Sequence, residues 1–460
     1  MNKVLAFIKG NLIIVISVVL ILAFLPVGYI FSGKWNAKVQ TKVNDAYNGE
    51  KRKIESSGRV TYAVPAVLEG EDDLSESRAP NERVTDFYAQ AKAARIEQVN
   101  DVVQRGTAFN QGDHVELVPG LLPAAPDAST RQRLGRTMSE AIVGTYDTPS
   151  VYQRKLQRLN AGSPPDAQDV AQSLAQTKES LEQQFRSANT DGNLTTAQQD
   201  QLQRELTSSR LGQYISRAKS LTFYCDMEAI VNGTGSTGAT TVSGEYSVIP
   251  SSNWSPSQIT ESVVFTWLWD FWVVSDILDA AALANSNAAS GAMVIPEAPV
   301  KRIDSIRVSA LEVTESASAS GSDDDSYQLR SNNRNFGGSS SSSAASTEAP
   351  SFTGREGGTA NSPFDIRTAE VSVVVSSQHL PKFLDAIGKV NFMTVTDIDL
   401  QEVDVWEELK QGYYYGDDHV VRATLKIETV WLRSWVTPMM PNPVKEALGV
   451  PVTNNGDSEG

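Results

Sequence analysis

The alternation of apolar and polar residues along Val300–Trp435 contains two copies of one unit. Two stretches, Ile303–Val313 and Val395–Val405, agree in length, in their apolar positions and in their acidic ends. Each is followed by a second alternating run, Ala369–Ser376 in the first unit and Ala423–Trp431 in the second. A period of two residues predicts four β-strands that are buried on one side only.

The same alternation predicts which face of the sheet is dry. We expect Ile306, Val373, Ile398 and Ile427 to face the core. Charged and hydroxyl side chains occupy most of the intervening positions, so the opposite face is expected to be polar.

A helical pattern precedes each pair of strands. The first helix is predicted to start at Ser255–Gln258, where Ser suits the cap and Pro the first position, and to continue to Leu278. The second is predicted at Ser377–Ile387, with Pro381 in its first turn and Gly388 as its stop. Helix-strand-strand, repeated twice, predicts an α+β sandwich: a ferredoxin-like fold with a permuted chain start.

An almost unbroken apolar run, Leu12–Phe31, has the length needed to cross a bilayer as a helix. Aromatic residues near its end, of which Trp35 is the last, suit a membrane interface. We therefore predict a short cytoplasmic tail at 1–11 and a retained transmembrane helix at 12–32. The alternative is a cleaved signal peptide, which needs a shorter apolar core and small residues at a cleavage site.

The positive charges around this run do not agree with export of the chain. Lys3 and Lys9 precede the run, whereas six basic residues follow it closely: Lys34, Lys38, Lys42, Lys51, Arg52 and Lys53. Counted alone, they favour a cytoplasmic location for the C-terminal side. Large domains can be exported despite such a bias.

The region 33–219 is predicted to be mainly helical and coiled-coil-like. Its first helix places Trp35, Val39 and Val43 on one stripe, which suits pairing with a second copy or with another anchored protein. The alternative is a helix that folds back on its own domain. Further on, the residues after Pro164 predict a helical hairpin.

The loop of this hairpin resembles a calcium-binding loop, with Gly192 at the sharp turn. Its first and last ligand positions are Ser187 and Gln198, where calcium requires a carboxylate and a bidentate Glu. The segment is therefore predicted to be an ordinary turn, and no metal site is expected.

The ferredoxin-like domain is assigned to 220–436. Strands are predicted at Ser220–Val231 and Gly244–Ile249. A Ser-rich segment, 316–362, lacks the apolar residues needed to order itself and is predicted to be a disordered insertion in the first strand hairpin. The remaining residues, 437–460, form a Pro-rich tail.

Tryptophans make the first helix of this domain apolar over an unusually wide arc. Its regular stripe suits a buried helix, but Trp267, Trp269 and Trp272 widen the arc beyond one face. Most of these residues are expected in the core. Trp269 lies off the stripe, so contact with a partner protein is the alternative interpretation.

Composition excludes several classes of function. The net charge of -15 argues against nucleic-acid binding, which requires concentrated Lys and Arg. The single cysteine, Cys225, rules out an intrachain disulfide and a cysteine-built metal site. His114, His379 and His419 lie in unrelated segments, and no phosphate-binding glycine loop or hydrolase motif occurs. We therefore expect no cofactor and no catalytic residue.

The order of these segments resembles that of PilO, from type IV pilus assembly platforms, and of GspM, its type II secretion counterpart. It is also similar to pilus-like proteins of verrucomicrobial and planctomycete bacteria. The resemblance is carried by the anchor and by the residues from Ser255 to Trp435, above all His379–Ile387 followed by Val395–Val405. The Ser-rich insertion and the large region before Tyr246 depart from a minimal PilO.

This resemblance implies a structural, non-catalytic protein of the inner membrane with most of its chain in the periplasm. It implies dimerisation, with a second copy or a PilN-like partner, and contact with other platform components. One alternative is an anchored or surface-displayed protein that binds another cell or a host receptor. A tethered hydrolase is a second alternative, from the enzyme class.

Overall fold

The computed structural model describes residues 10–66, 72–188, 193–231, 246–247, 249–250, 259–287, 291–311, 313, 353, 355 and 362–452. The chain is a mixed α+β protein with a long apolar N-terminal helix and small sheets. It divides into two compact units, Met1–Arg105 and Gly106–Gly460.

The first unit begins with one continuous helix. Helix α1, Leu12–Ser57, has 46 residues and is therefore roughly 70 Å long. Pro26 lies inside it without ending it. A hairpin of β1, Val60–Val64, and β2, Leu74–Arg78, follows, and then helix α2, Glu82–Gln111, which continues into the second unit.

The hairpin packs on α2 through one aromatic contact. The ring of Tyr62 stacks on that of Tyr88 with a centroid distance of 5.1 Å. The hydroxyl of Tyr62 lies 2.9 Å from that of Thr85, within hydrogen-bonding distance. Val64, at the end of β1, is buried.

Five helices open the second unit: α3 Ala128–Val143, α4 Val151–Arg158, α5 Ala167–Ala188, α6 Thr196–Lys219 and α7 Met227–Val231. Helices α5 and α6 confirm the predicted helical hairpin, and Val170 and Leu174 pack there against Tyr214. A capping box between Thr195 and Gln198 starts α6 by satisfying backbone groups at its first turn.

The remaining elements form the sheet and its helices: α8 Glu261–Ala284, β3 Ser286–Asn287, β4 Gly291–Ala292, β5 Val300–Val308, β6 Phe364–Ser376, α9 Leu380–Val390, β7 Met393–Glu402, α10 Val405–Lys410, β8 Val420–Leu432, α11 Arg433–Val436, a 3-10 turn Thr437–Met439 and α12 Asn442–Ala447. The four long strands pair in the order β5-β6-β8-β7, and every pair is antiparallel. Along the chain, a helix followed by two long strands occurs twice, with β3 and β4 inserted in the first set and α10 in the second.

One predicted helix start is wrong by a few residues, and the other falls on residues that are not described. Helix α8 begins at Glu261, because extended Thr260 is its cap and accepts a hydrogen bond from the Val263 amide. The predicted start, 255–258, lies outside the described residues. Helix α9 begins at Leu380 and continues past Gly388, which is therefore not its stop.

The predicted dry face is confirmed at three of its four residues. Ile306, Val373 and Ile427 are buried beneath α8 and α9. Ile398 is 41% exposed, so its prediction is wrong. It lies opposite Leu425 on the helix side of the sheet, but the second half of β7 is exposed and only its beginning is covered.

The strand predicted at Ser220–Val231 is also wrong. Its end is helix α7, and its middle, Tyr224, makes two isolated bridges, one to Gly162 and one to Arg302 of β5. There the amide of Tyr224 donates to the Lys301 carbonyl, and the amide of Ile303 donates to the Tyr224 carbonyl, each at 2.8 Å. Of the strand predicted at 244–249, Tyr246 bridges Ser309; residues 244, 245 and 248 lie outside the described ranges.

The segment after Trp435 belongs to the core. Val436, Met440 and Val444 are fully buried in the same apolar cluster as the sheet. Arg433 fixes this segment, because its guanidinium forms a buried ion pair with Asp365 at 2.6 Å and donates to the Leu448 carbonyl. The Ser-rich segment 316–362 lies outside the described residues, except for three positions: Thr353, Arg355 and Ser362.

Candidate functional site

Helix α1 is the one helix in the described ranges that is long and apolar enough to cross a membrane. None of its most apolar window is buried inside the protein. The apolar residues end near Phe31, and the same helix continues to Ser57 without a break. A segment of membrane-spanning length is thus rigidly joined to a polar helix of similar length.

The stripe predicted on this polar helix is uncovered within the described residues of its unit. Trp35 is 74% exposed, Val39 47% and Val43 60%. Tyr47 and Ile54 extend the exposed stripe towards the end of the helix.

The three tryptophans of α8 are buried, so their proposed role as a partner surface is wrong. Trp267, Trp269 and Trp272 belong to the main core. The physical reason is that α8 has cover on two sides: the sheet lies against one side, and α3 and α4 pack against another. A helix that is apolar all round is normally buried in this way.

A buried polar cluster lies beside these tryptophans. The Asn110 amide donates to the Asn391 side-chain oxygen at 2.8 Å, and the Asn391 amide donates to Asp276 at 2.7 Å. The Nε2 atom of His114 is 3.2 Å from the same carboxylate. Three rings surround that imidazole: Trp272, Trp431 and Trp435.

This cluster joins the end of α2 to the sheet. Asn110 also accepts hydrogen bonds from the Leu432 amide, at 2.7 Å, and the Trp435 indole, at 2.8 Å. Its side chain therefore holds the end of β8 and the start of the C-terminal segment. No nucleophilic side chain is hydrogen-bonded to His114 in the described part of the chain.

The polar face of the sheet carries a closed ring of four charges. Arg302 contacts Asp304 at 2.7 Å and Glu408 at 2.6 Å. Arg422 contacts the same two carboxylates at 2.8 and 2.9 Å. The ring connects β5 and β8 to α10. The alternation of β5 predicts this polar face. A register shift between Ile303 and Ser305 leaves Asp304 without a partner residue on β6, near Arg302.

Tyrosines cover one side of this ring. The guanidinium of Arg302 lies 3.8 Å from the ring centre of Tyr413, and the Tyr415 hydroxyl donates to Glu408. Burial raises the pKa of Tyr224 to about 12 and also raises the pKa of Tyr415. These phenols are therefore neutral at physiological pH, where they can pack against the ion pairs without adding charge.

A cavity of about 400 Å³ opens next to the ring. Its polar lining includes Ser163, Asp226, Glu228 and Arg307. Cys225 lies at its wall, but burial raises the pKa of this thiol far above the physiological range. A buried neutral thiol is a poor nucleophile, so the cysteine is a packing residue.

A buried lysine fixes the loop that follows these tyrosines. Lys301 is fully buried, and its ammonium donates to the carbonyls of Ile295 and Pro296 and to Asp418, at 2.9–3.0 Å. Burial lowers its pKa, against the effect of Asp418. Gly416 must be glycine, because its φ is +84° and a Cβ atom would lie 2.7 Å from the Pro296 carbonyl oxygen.

The described residues contain no group of His, Cys, Asp and Glu arranged to hold a metal ion. The turn at 189–192, which resembles a calcium loop in sequence, lies outside the described ranges. Comparisons of the chain with models of protein families, with characterised proteins and with solved structures found no match. The candidate binding surfaces are therefore identified from the structure alone. The first is the exposed stripe of α1.

Proposed function

We propose that this protein is a non-catalytic, single-pass component of a membrane assembly platform, similar in plan to PilO and GspM. In this proposal the exposed stripe of α1 pairs with a second copy or with a PilN-like protein. The bulk of the chain lies in the periplasm of the inner membrane, where it connects to other components of a pilus or secretion machine.

The observation that carries this proposal is a helix of membrane-spanning length joined without interruption to an uncovered apolar stripe. An amphipathic helix gains most of its stability in water from packing its apolar face. Here Trp35, Val39 and Val43 have no such cover among the described residues. Membrane anchoring confines the copies to a plane and raises their effective concentration. Two helices can therefore pair through the stripe even if their affinity is low.

The sheet supports a ferredoxin-like assignment. Each helix-strand-strand unit supplies one edge strand and one central strand, and the second strands of both units, β6 and β8, meet at the centre. Moving the first strand of a β-α-β-β-α-β chain to its end gives this order of elements. Both helices cover one face, as expected for a two-layer sandwich.

Site-directed cross-linking in native membranes tests the pairing of α1. Because Cys225 is buried, a cysteine placed on α1 is the single reactive thiol. We expect Val39→Cys to form a covalent homodimer under mild oxidation if the partner is a second copy. Thr41→Cys is the matched control, since two residues further along it lies on nearly the opposite side of the helix.

Equal cross-linking of the two variants would show that the stripe does not direct the pairing. If Val39→Cys forms no homodimer, a photo-reactive side chain at the same position tests the PilN-like alternative. A cross-linked protein of another mass then supports the platform role, whereas an absence of any specific product contradicts it.

A further inference from the structure

The outer edge of the sheet at β7 is open within the part of the chain that the structure describes. β7 is the last strand in the order and pairs on one side only, with β8. Its residues Asp397–Glu402 are all exposed. Six residues of strand extend about 20 Å and present a row of backbone donors and acceptors, which is a template for another strand.

The two faces of this half-strand differ in chemistry. Ile398 and Leu400, 41% and 52% exposed, lie opposite Leu425 and Ala423 on the helix side of the sheet. Asp397 and Asp399 alternate with them and therefore lie on the other face. A register shift after Val395 separates this half from the covered beginning of the strand.

The surroundings of this edge are strongly acidic. Residues 391–409 contain six Asp and Glu residues and no Lys or Arg. If two copies paired antiparallel about Ile398, Asp399 or Leu400, Asp399 would lie directly opposite or diagonally beside an aspartate of the other copy. Like charges in such positions are unfavourable, so a second copy is a poor occupant.

The inner neighbour of β7 shows which chemistry suits this strand. In β8, Lys426 pairs with Asp397, and its ammonium lies 3.9 Å from that carboxylate. Arg422 lies opposite Gln401 on the same face. The apolar residues of β8 lie opposite Ile398 and Leu400 on the other face. A strand added on the open side of β7 would likewise face its acidic residues on one face and Ile398 and Leu400 on the other.

We propose that the β7 edge binds an extended segment of another protein in which apolar residues alternate with Lys or Arg. The segment adds a fifth strand to the sheet: its backbone pairs with Asp397–Glu402, its basic side chains meet Asp397 and Asp399, and its apolar side chains cover Ile398 and Leu400. This surface is independent of α1 and of the orientation of the chain in the membrane.

The probe is an eight-residue peptide in which valine alternates with lysine. Binding to the full-length protein in phosphatidylcholine nanodiscs is measured by calorimetry. We expect specific binding that weakens with salt, and at least about tenfold weaker binding to Asp397→Lys/Asp399→Lys. The same variant is expected to gain affinity for a peptide of alternating valine and glutamate. The matched control is Glu179→Lys/Glu205→Lys, two exposed charge reversals on α5 and α6.

A lysine peptide whose backbone is N-methylated at alternate residues separates strand addition from plain ionic adhesion. We expect it to bind at least about tenfold more weakly, because it cannot donate to the edge. Equal binding of the two lysine peptides overturns the proposal, and so does equal loss of affinity in the control variant. An edge variant that changes only the sedimentation of the free protein would assign the edge to a second copy and would also overturn it.

Discussion

The buried ion pair between α8 and β6 offers a sensitive test of the core. The Arg367 guanidinium lies 2.7 Å from the Asp270 carboxylate, and both side chains are almost completely buried. Arg367 also donates to the Ser309 carbonyl and lies 5.0 Å from the ring centre of Trp269. Burial raises the pKa of Asp270, against the effect of Arg367, which is the expected cost of a charge in this position.

Asp270→Asn keeps the shape of the side chain but leaves the guanidinium without a counter-charge. Loss of one partner of a buried pair destabilises by about 3–5 kcal/mol. For a unit of this size, that corresponds to a decrease in the melting temperature of roughly 5–10 °C. The measurement is the thermal unfolding of the detergent-solubilised full chain, followed by tryptophan fluorescence.

The double variant Asp270→Leu/Arg367→Met is the control. Replacing both charges with apolar side chains is expected to leave the free energy of unfolding within about 2 kcal/mol of the wild type. The reasoning is refuted if Asp270→Asn costs less than about 1 kcal/mol, because water would then reach the ion pair between α8 and β6.

Three further predictions concern the core, a helix cap and the insertion. Trp269→Ala should cost about 3–5 kcal/mol in chemical unfolding, because the ring is fully buried; an unchanged midpoint would contradict its place in the core. Hydrogen bonds from Ser129 and Thr130 lower the pKa of Asp127, so Asp127→Ala should be less stable than the wild type near neutral pH, and this gap should close as the pH falls below 3.8; a gap independent of pH would rule out the capping role. Replacement of residues 316–352 by a short Gly/Asn turn should preserve the melting temperature, since loop closure depends weakly on length, and a decrease of many degrees would show that the segment is packed.

The sheet could be predicted from the sequence because its signal is local. Alternation over eight or more residues specified four strands, and the repeat specified the order of helix, strand and strand. The exposed Ile398 could not be predicted, because the pattern tells which face a residue lies on but not how far a neighbouring helix extends over it.

The interior contacts join residues that are far apart in the chain, so local patterns could not predict them. His114, just after α2, and Asp276, on α8, are 162 positions apart, and only tertiary packing brings them together. The C-terminal segment did carry a signal: Val436, Met440, Val444 and Leu448 recur every four residues, and all four are buried. The all-round apolar character of α8 likewise indicated complete burial rather than a partner surface.

The most direct test of the platform account is the location of the folded unit relative to the membrane. A reporter enzyme that is active only in the periplasm is fused after Val452; a fusion after Trp435 would remove Val436, Met440 and Val444 from the core. The account predicts an active reporter in a Gram-negative host. An inactive reporter, together with an active cytoplasmic reporter at the same position, would contradict it and would favour the orientation that the basic residues after α1's apolar segment indicate.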